Sequence, residues 1–199
     1  MRIFLTLFVA ISHWLLSNAK KPNIVIIFTD DQGYADLGCY GSKTNKTPRL
    51  DQLAKEGTMF TSFYTQTVCG PSRSALLTGR YPDRSKGWGM PASEITFAEL
   101  IKGAGYQTAC IGKWDVSNRK PIIDRMPNAQ GYENFLGALR ANDPRSIKIH
   151  LNNEPAVTSK DMGGLTTLYT DKSIDFLKNK RDPDKPFVLY LAHTMMHTI

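Results

Sequence analysis

Contiguous apolar runs alternate along this chain with segments in which apolar residues recur every three or four positions. Asn23 to Thr29 (NIVIIFT) is a continuous β-branched run, as expected for a central parallel strand buried on both faces. Pro186 to Ala192 (PFVLYLA) is a second such run, and Met59 to Tyr64 and Tyr106 to Ile111 read as shorter strands. Helical spacing appears after Thr47-Pro48, where Leu50, Leu53 and Ala54 precede Gly57. It recurs over Pro71 to Thr78 before Gly79, and over Thr96 to Ala104 through Phe97, Leu100 and Ile101. A last helix is expected over Leu168 to Lys180. Ser117 to Gly164 is irregular, with Ile147 to Leu151, Asn152-Asn153 and Pro155 to Val157 patterned as an excursion hairpin. The alternation predicts an α/β fold, a mostly parallel central sheet with helices on both faces.

The N-terminal residues depart from that alternation. Arg2 is followed by a largely apolar stretch from Ile3 to Leu16, and then by the small residues Ser17-Asn18-Ala19 before Lys20. That order reads as a signal peptide over residues 1–19. The apolar run is short for a membrane span and is interrupted by Ser12 and His13; an uncleaved anchor is the alternative reading. No later stretch is apolar enough to cross a bilayer. The expected location is therefore outside the cytoplasm: periplasm, cell surface or medium.

Composition adds little to this picture. The 199 residues carry a formal net charge of +7, but the lysines and arginines are scattered, without the basic stripe and interleaved aromatics of a nucleic-acid platform. A mildly basic surface suits anionic substrates and is equally an ordinary solvated surface. Three cysteines, Cys39, Cys69 and Cys110, are too few for a disulfide framework.

Candidate chemistry gathers where the predicted strands end, the usual ligand side of an open α/β sheet. Asp30-Asp31 follows the first strand. Two adjacent carboxylates repel, so they suit a hard divalent cation such as calcium or magnesium, or else a turn with an Asx hydrogen bond. Cys69 precedes a helix whose free N–H groups favour an anion, with Arg73 one turn further on; a small buried cysteine is the plainer reading. Gly112-Lys113-Trp114-Asp115 ends the third strand, and His193 and His197 follow the last.

The string Cys69-Gly70-Pro71-Ser72-Arg73-Ser74-Ala75-Leu76-Leu77-Thr78-Gly79-Arg80 resembles the first signature of the type I sulfatases. Gly105 to Trp114 resembles the second. Asp30-Asp31, Leu37 to Gly41 and Phe187 to His197 are also similar to that family, in the same order. The resemblance implies the alkaline phosphatase-like fold and hydrolysis of sulfate monoesters. It implies that Cys69 is oxidised during export to formylglycine by a formylglycine-generating enzyme, for which Pro71 and Ser72 are recognition elements. The hydrated aldehyde attacks sulfur through one hydroxyl, and loss of the other hydroxyl's proton then expels sulfate by C–O cleavage and restores the aldehyde. Carried over residue by residue, Asp30, Asp31 and an oxygen of modified Cys69 ligate calcium (magnesium being possible). Arg73 holds the hydrated aldehyde, Lys113 neutralises charge on the sulfate, and His197 protonates the leaving oxygen, with His193 as alternative.

Two departures from the pattern matter. The family usually has His after Gly-Lys-Trp, and here the residue is Asp115, either a substitute acceptor for the diol proton or a solvated loop carboxylate. The family's distal Asp-Asn metal pair, second lysine and small C-terminal domain are expected beyond Ile199, so residues 20–199 read as the N-terminal part of a catalytic domain. A sulfated small molecule or carbohydrate is the expected substrate. A phosphonate or phosphate ester hydrolase of the same superfamily, or an inactive fragment lacking the distal ligands, are the competing readings.

Overall fold

The computed structural model describes residues 20–140 and 146–197; the predicted signal peptide lies outside them. Six strands form one sheet: β1 (Ile24–Phe28), β2 (Gln107–Lys113), β3 (Asn134–Ala138), β4 (Ile147–Leu151), β5 (Glu154–Ser159) and β6 (Phe187–Ala192). Their spatial order is β1-β6-β2-β3-β4-β5. The first four strands in that order run parallel, and β4 and β5 add an antiparallel hairpin turned at Asn152-Asn153. This is the expected α/β architecture, with the excursion hairpin where the polar Asn pair predicted it.

The sheet is organised by β6, whose six residues are all buried. Successive side chains of a strand point to opposite faces. Tyr190 and Ala192 therefore join Cys110, Leu77, Ala98 and Trp114 on one face, while Leu189 and Leu191 join Ala109, Ile111, Leu165, Tyr169 and Phe176 on the other. The α-helices among the described residues are α1 (Pro48–Glu56), α2 (Cys69–Thr78), α3 (Pro82–Ser85), α4 (Phe97–Gly103) and α5 (Leu165–Asp175), the last continued by a π turn over Phe176–Lys180. Leu77 of α2 and Ala98 of α4 cover the first face, and α5 covers the second. Helix α4 begins with a capping box, in which Thr96 Oγ1 accepts from the Glu99 N–H and the Glu99 carboxylate accepts from the Thr96 N–H.

Three boundaries differ from the sequence expectation, each for a physical reason. β1 is an edge strand of the described sheet, not a central one, and Val25 and Ile27 on its outer face are about half exposed. Met59 to Tyr64 forms no strand: its backbone is held by side chains, with Tyr34 Oη donating to the Phe63 carbonyl (2.9 Å) and Tyr40 Oη to that of Phe60 (2.8 Å). β2 continues through Lys113 because Gly112 permits it. Gly112 has φ +113°, and a Cβ there would collide with the Ala192 carbonyl, so only glycine lets β2 lie this close to β6.

Candidate active site

The carboxyl ends of β1, β6 and β2 are neighbours, and the chain leaves each of them as polar residues. Asp30 follows β1 and is 3% exposed, with its N–H bonded to the Met195 carbonyl beyond β6 (3.1 Å). Its carboxylate is held by two cations. Arg73 donates from Nη2 to Oδ1 at 3.2 Å, and Lys113 donates from Nζ to Oδ2 at 2.7 Å; both cationic side chains are fully buried. Arg73 reaches this point from the first turns of α2. Its Nη1 donates to Tyr190 Oη and to the Lys113 carbonyl, each at 3.2 Å, and its guanidinium lies 5.1 Å from the centre of the Phe28 ring. One arginine thereby touches all three strand ends.

Burial disfavours the guanidinium charge, but Tyr190 and Asp30 more than offset it and hold Arg73 above its ordinary value. Burial pushes the Tyr190 phenol up to about 12, against the pull of Arg73, so it stays a neutral partner. The Arg73 Nε donor is buried and has no partner among the described residues.

Asp115 lies two residues past the end of Lys113's strand with no exposed surface. Oδ1 accepts from Arg119 Nε at 2.9 Å; Oδ2 accepts from Trp88 Nε1 at 3.2 Å and stands 3.6 Å from Lys113 Nζ. Lys113 is therefore suspended between two carboxylates. The expectation of a solvated loop Asp is not met, because the left-handed backbone at Asp115 (φ 58°) turns the side chain inward.

Cys69 is the first residue of α2 and is half-buried. It shares the wall of a cavity of about 270 Å³ with Phe28, Asp30, Asp31, Gln32, Thr65, Gln66, Thr67 and Ser72. Ser72 Oγ donates to the carbonyls of Val68 (2.8 Å) and Gln66 (3.1 Å), which ties the segment before Cys69 onto the helix. Asp31 has φ 57° and a largely exposed carboxylate, 3.8 Å from His197 Nε2. His193 instead packs toward Tyr169 on the opposite face (6.4 Å between ring centres), and burial lowers its pKa. Of the two histidines, His197 is the one beside the Asp pair. Cys39 and Cys110 are unpaired thiols; burial pushes that of Cys110 up, as befits a core residue.

The donors facing the cavity suit a hard cation in kind: the carboxylates of Asp30 and Asp31, with position 69 on the same wall. They do not complete a shell of roughly six to eight oxygens. Both Asp30 oxygens already accept from cations, and no cluster of three or more His, Cys, Asp or Glu side chains is placed to hold a metal among the described residues. Among the described residues these donors do not by themselves make a complete cation site.

Sequence reasoning named Asp30, Asp31, Cys69, Arg73, Lys113, Asp115 and His197. It missed Tyr190, Phe28, Trp88 and Arg119. Period-2 alternation along β6 separates Tyr190 from Leu189 and Leu191, but only the strand order brings it to Arg73. Nothing local marks Trp88 or Arg119.

Residues 22–199 match the family described as Sulfatase. The chain is 36% identical to human arylsulfatase A over 92% of its own length and 42% of that protein. It is 33% identical to N-acetylgalactosamine-6-sulfatase of Rattus norvegicus, over 89% of the chain and 40% of the relative. It is 42% identical to the steryl-sulfatase of Mus musculus over 62% of the chain and 23% of that protein. The chain spans less than half the length of these relatives. Among solved structures, one in complex with its substrate D-glucosamine-2-N,6-O-disulfate superposes with TM-score 0.75 at 30% identity, over 89% of this chain and 35% of that one. One in complex with k-i-k-neocarrahexaose superposes with TM-score 0.79 at 29% identity, over 90% and 46%.

Proposed function

The chain belongs to the sulfatase family, and from that premise we propose that the protein is an exported sulfuric ester hydrolase using formylglycine at position 69 and a divalent cation. The observation that carries this is the meeting of Cys69, Asp30 and Asp31 on one cavity wall, backed by the buried cations Arg73 and Lys113. Arg73 fixes the helix that presents position 69 against the ends of β1 and β2. Lys113 supplies positive charge where the ester's oxygens gain negative charge. His197, at the cavity edge beside Asp31, delivers a proton to the leaving oxygen. A calcium or magnesium ion held by Asp30, Asp31 and the modified residue 69 would polarise the sulfate. The relatives' names and the bound sugars of the structural neighbours support a sulfated small molecule or carbohydrate as substrate.

The test compares 4-nitrophenyl sulfate with a phenyl phosphonate ester on the complete gene product, with peptide mass spectrometry across Cys69. Preference for the sulfate and an aldehyde at residue 69 are expected. A preference for the phosphonate ester would place the protein with the phosphonate hydrolases of the same superfamily, and an unmodified thiol in a host with the converting enzyme would refute the mechanism.

A further inference from the structure

We propose that Asp115, Trp88 and Arg119 form a clamp that positions Lys113 and the nucleophile turn, with Asp115 acting as a positioning carboxylate and not as a proton acceptor. The inference rests on the ester hydrolase reading and assigns roles to residues outside the cavity wall. Asp115 is fully buried; Arg119 Nε and Trp88 Nε1 each donate to one of its oxygens, and the Lys113 ammonium pairs with it at 3.6 Å. A carboxylate so committed fixes its neighbours. Its other cation, 3.6 Å away, is the lysine that also bonds Asp30, so Asp115 and Asp30 together set where the ammonium stands.

The second arm of the clamp reaches the nucleophile. The Trp88 indole lies so close to Gly70 that a Cβ on that glycine would overlap Cδ1 and Nε1 of the ring. Gly70 directly follows Cys69, so the ring that bonds Asp115 also packs against the turn carrying the nucleophile. Arg119 closes the arrangement, its guanidinium 5.4 Å from the Trp88 ring centre while its Nε bonds Asp115.

The backbone is strained to achieve this. Asp115, Asn118 and Arg119 all lie in the left-handed region, at φ 58°, 53° and 58°. Such positions are strained and persist only where surrounding contacts fix them. Here the turn is tied to the residues around Trp88 by the Asn118 N–H to Trp88 carbonyl bond (2.7 Å) and the Gly89–Ser117 bridge. A tight turn needed only to leave β2 would not require three such residues. The geometry links position 70, Lys113 and Asp30 through one buried carboxylate.

The experiment is steady-state kinetics on the complete gene product with Asp115→Asn, Trp88→Phe, Arg119→Ala and Arg119→Lys, using whichever of 4-nitrophenyl sulfate or phenyl phosphonate ester the parent hydrolyses. The parent's choice of ester tests the sulfatase reading alone, and the variant-to-parent ratios test the clamp whichever ester is turned over. Formylglycine occupancy is measured in every variant, and kcat is expressed per converted site. Misplacement of Lys113 should lower kcat of Asp115→Asn by about tenfold to a hundredfold, with KM changed less than about threefold. Trp88→Phe, which keeps a ring against Gly70 but loses the donor, should fall by about threefold to tenfold, as should Arg119→Ala, and Arg119→Lys should recover part of that loss. Parent-like kcat in Asp115→Asn, whatever its melting temperature, would show a merely structural network. Rescue of an Asp115→Ala variant by a neutral base such as imidazole, which can take a proton but cannot replace the carboxylate's charge, would show a proton acceptor and overturn the assignment.

Discussion

The buried charge cluster makes its strongest prediction at Asp30. Replacing it with Asn keeps the size and one acceptor oxygen but removes the carboxylate that, among the described residues, Arg73 and Lys113 share. Both cations are fully buried, so neither can recover its loss by turning to solvent. Breaking a buried pair by deleting one partner typically costs about 3–5 kcal/mol, because an uncompensated charge is left inside. Two features push this case to the lower end: Lys113 retains Asp115 at 3.6 Å, and Arg73 retains Tyr190 and the Phe28 ring. A loss of about 3 kcal/mol is therefore expected. The assay is urea and thermal unfolding of the metal-free complete protein, so that loss of a metal ligand does not enter. Lys113→Met and the double variant complete a thermodynamic cycle. Because Lys113→Met removes the cation that Asp30→Asn strands, the double variant should be more stable than additivity predicts by about 1–3 kcal/mol. Additivity within about 0.5 kcal/mol would refute the claim that these charges are coupled.

Other expectations follow from the same geometry. Gly70→Ala should destabilise by about 1–3 kcal/mol through overlap with the Trp88 indole, and the Gly70→Ala, Trp88→Ala double variant should recover part of that loss in urea melts. Burial lowers the pKa of both His150 and His193 below the ordinary histidine value near 6.5. Between the lowered and the ordinary values the unfolded chain binds more protons, so stability should rise with pH through that window and flatten above about 6.5. His193→Gln should shallow this slope in melts from pH 5 to 7, and an unchanged slope would deny its buried neutral state. Chelation with EDTA should abolish most turnover and lower the melting temperature, and calcium should restore both, as linkage requires for an ion that binds the folded state. Full activity in the chelated enzyme would remove the metal from the scheme.

Much of this site was legible in the sequence because its residues sit where backbone rules put them. Asp30 and Lys113 follow or end apolar runs, and parallel strands bring such ends to one side of the sheet. Cys69 and Arg73 share a helix face by spacing alone. What could not be read were the neighbours. Which strand lies between β1 and β2 depends on β6, some 75 residues beyond β2, and only its placement makes Tyr190 a partner of Arg73. The Met59 to Tyr64 segment has strand composition, yet two tyrosine hydroxyls hold its backbone instead of a neighbouring strand. Asp115 has the composition of a loop residue, and its burial follows from a left-handed turn that no residue pattern announces.

The distribution of buried charge separates stability from function in this fold. Asp30, Arg73, Lys113 and Asp115 are buried together at the ends of three adjacent strands, while Arg119 bonds Asp115 from a half-exposed position. A chain selected only to fold would gain by filling these positions with apolar residues, since well-packed hydrophobes in place of a buried ion cluster are often neutral or more stable. The surroundings make that substitution available: Phe28, Leu77, Trp114 and Tyr190 already form an apolar layer at this end of the sheet. The cluster also holds three cations, Arg73, Lys113 and Arg119, against two carboxylates, Asp30 and Asp115. A surplus of fixed positive charge with low-dielectric walls, set behind a cavity that opens at a helix N-terminus, costs folding energy and lowers the energy of an incoming tetrahedral anion. On the proposed hydrolase reading the charges are placed for the ester, and the strained turn at Asp115 is part of what holds them there.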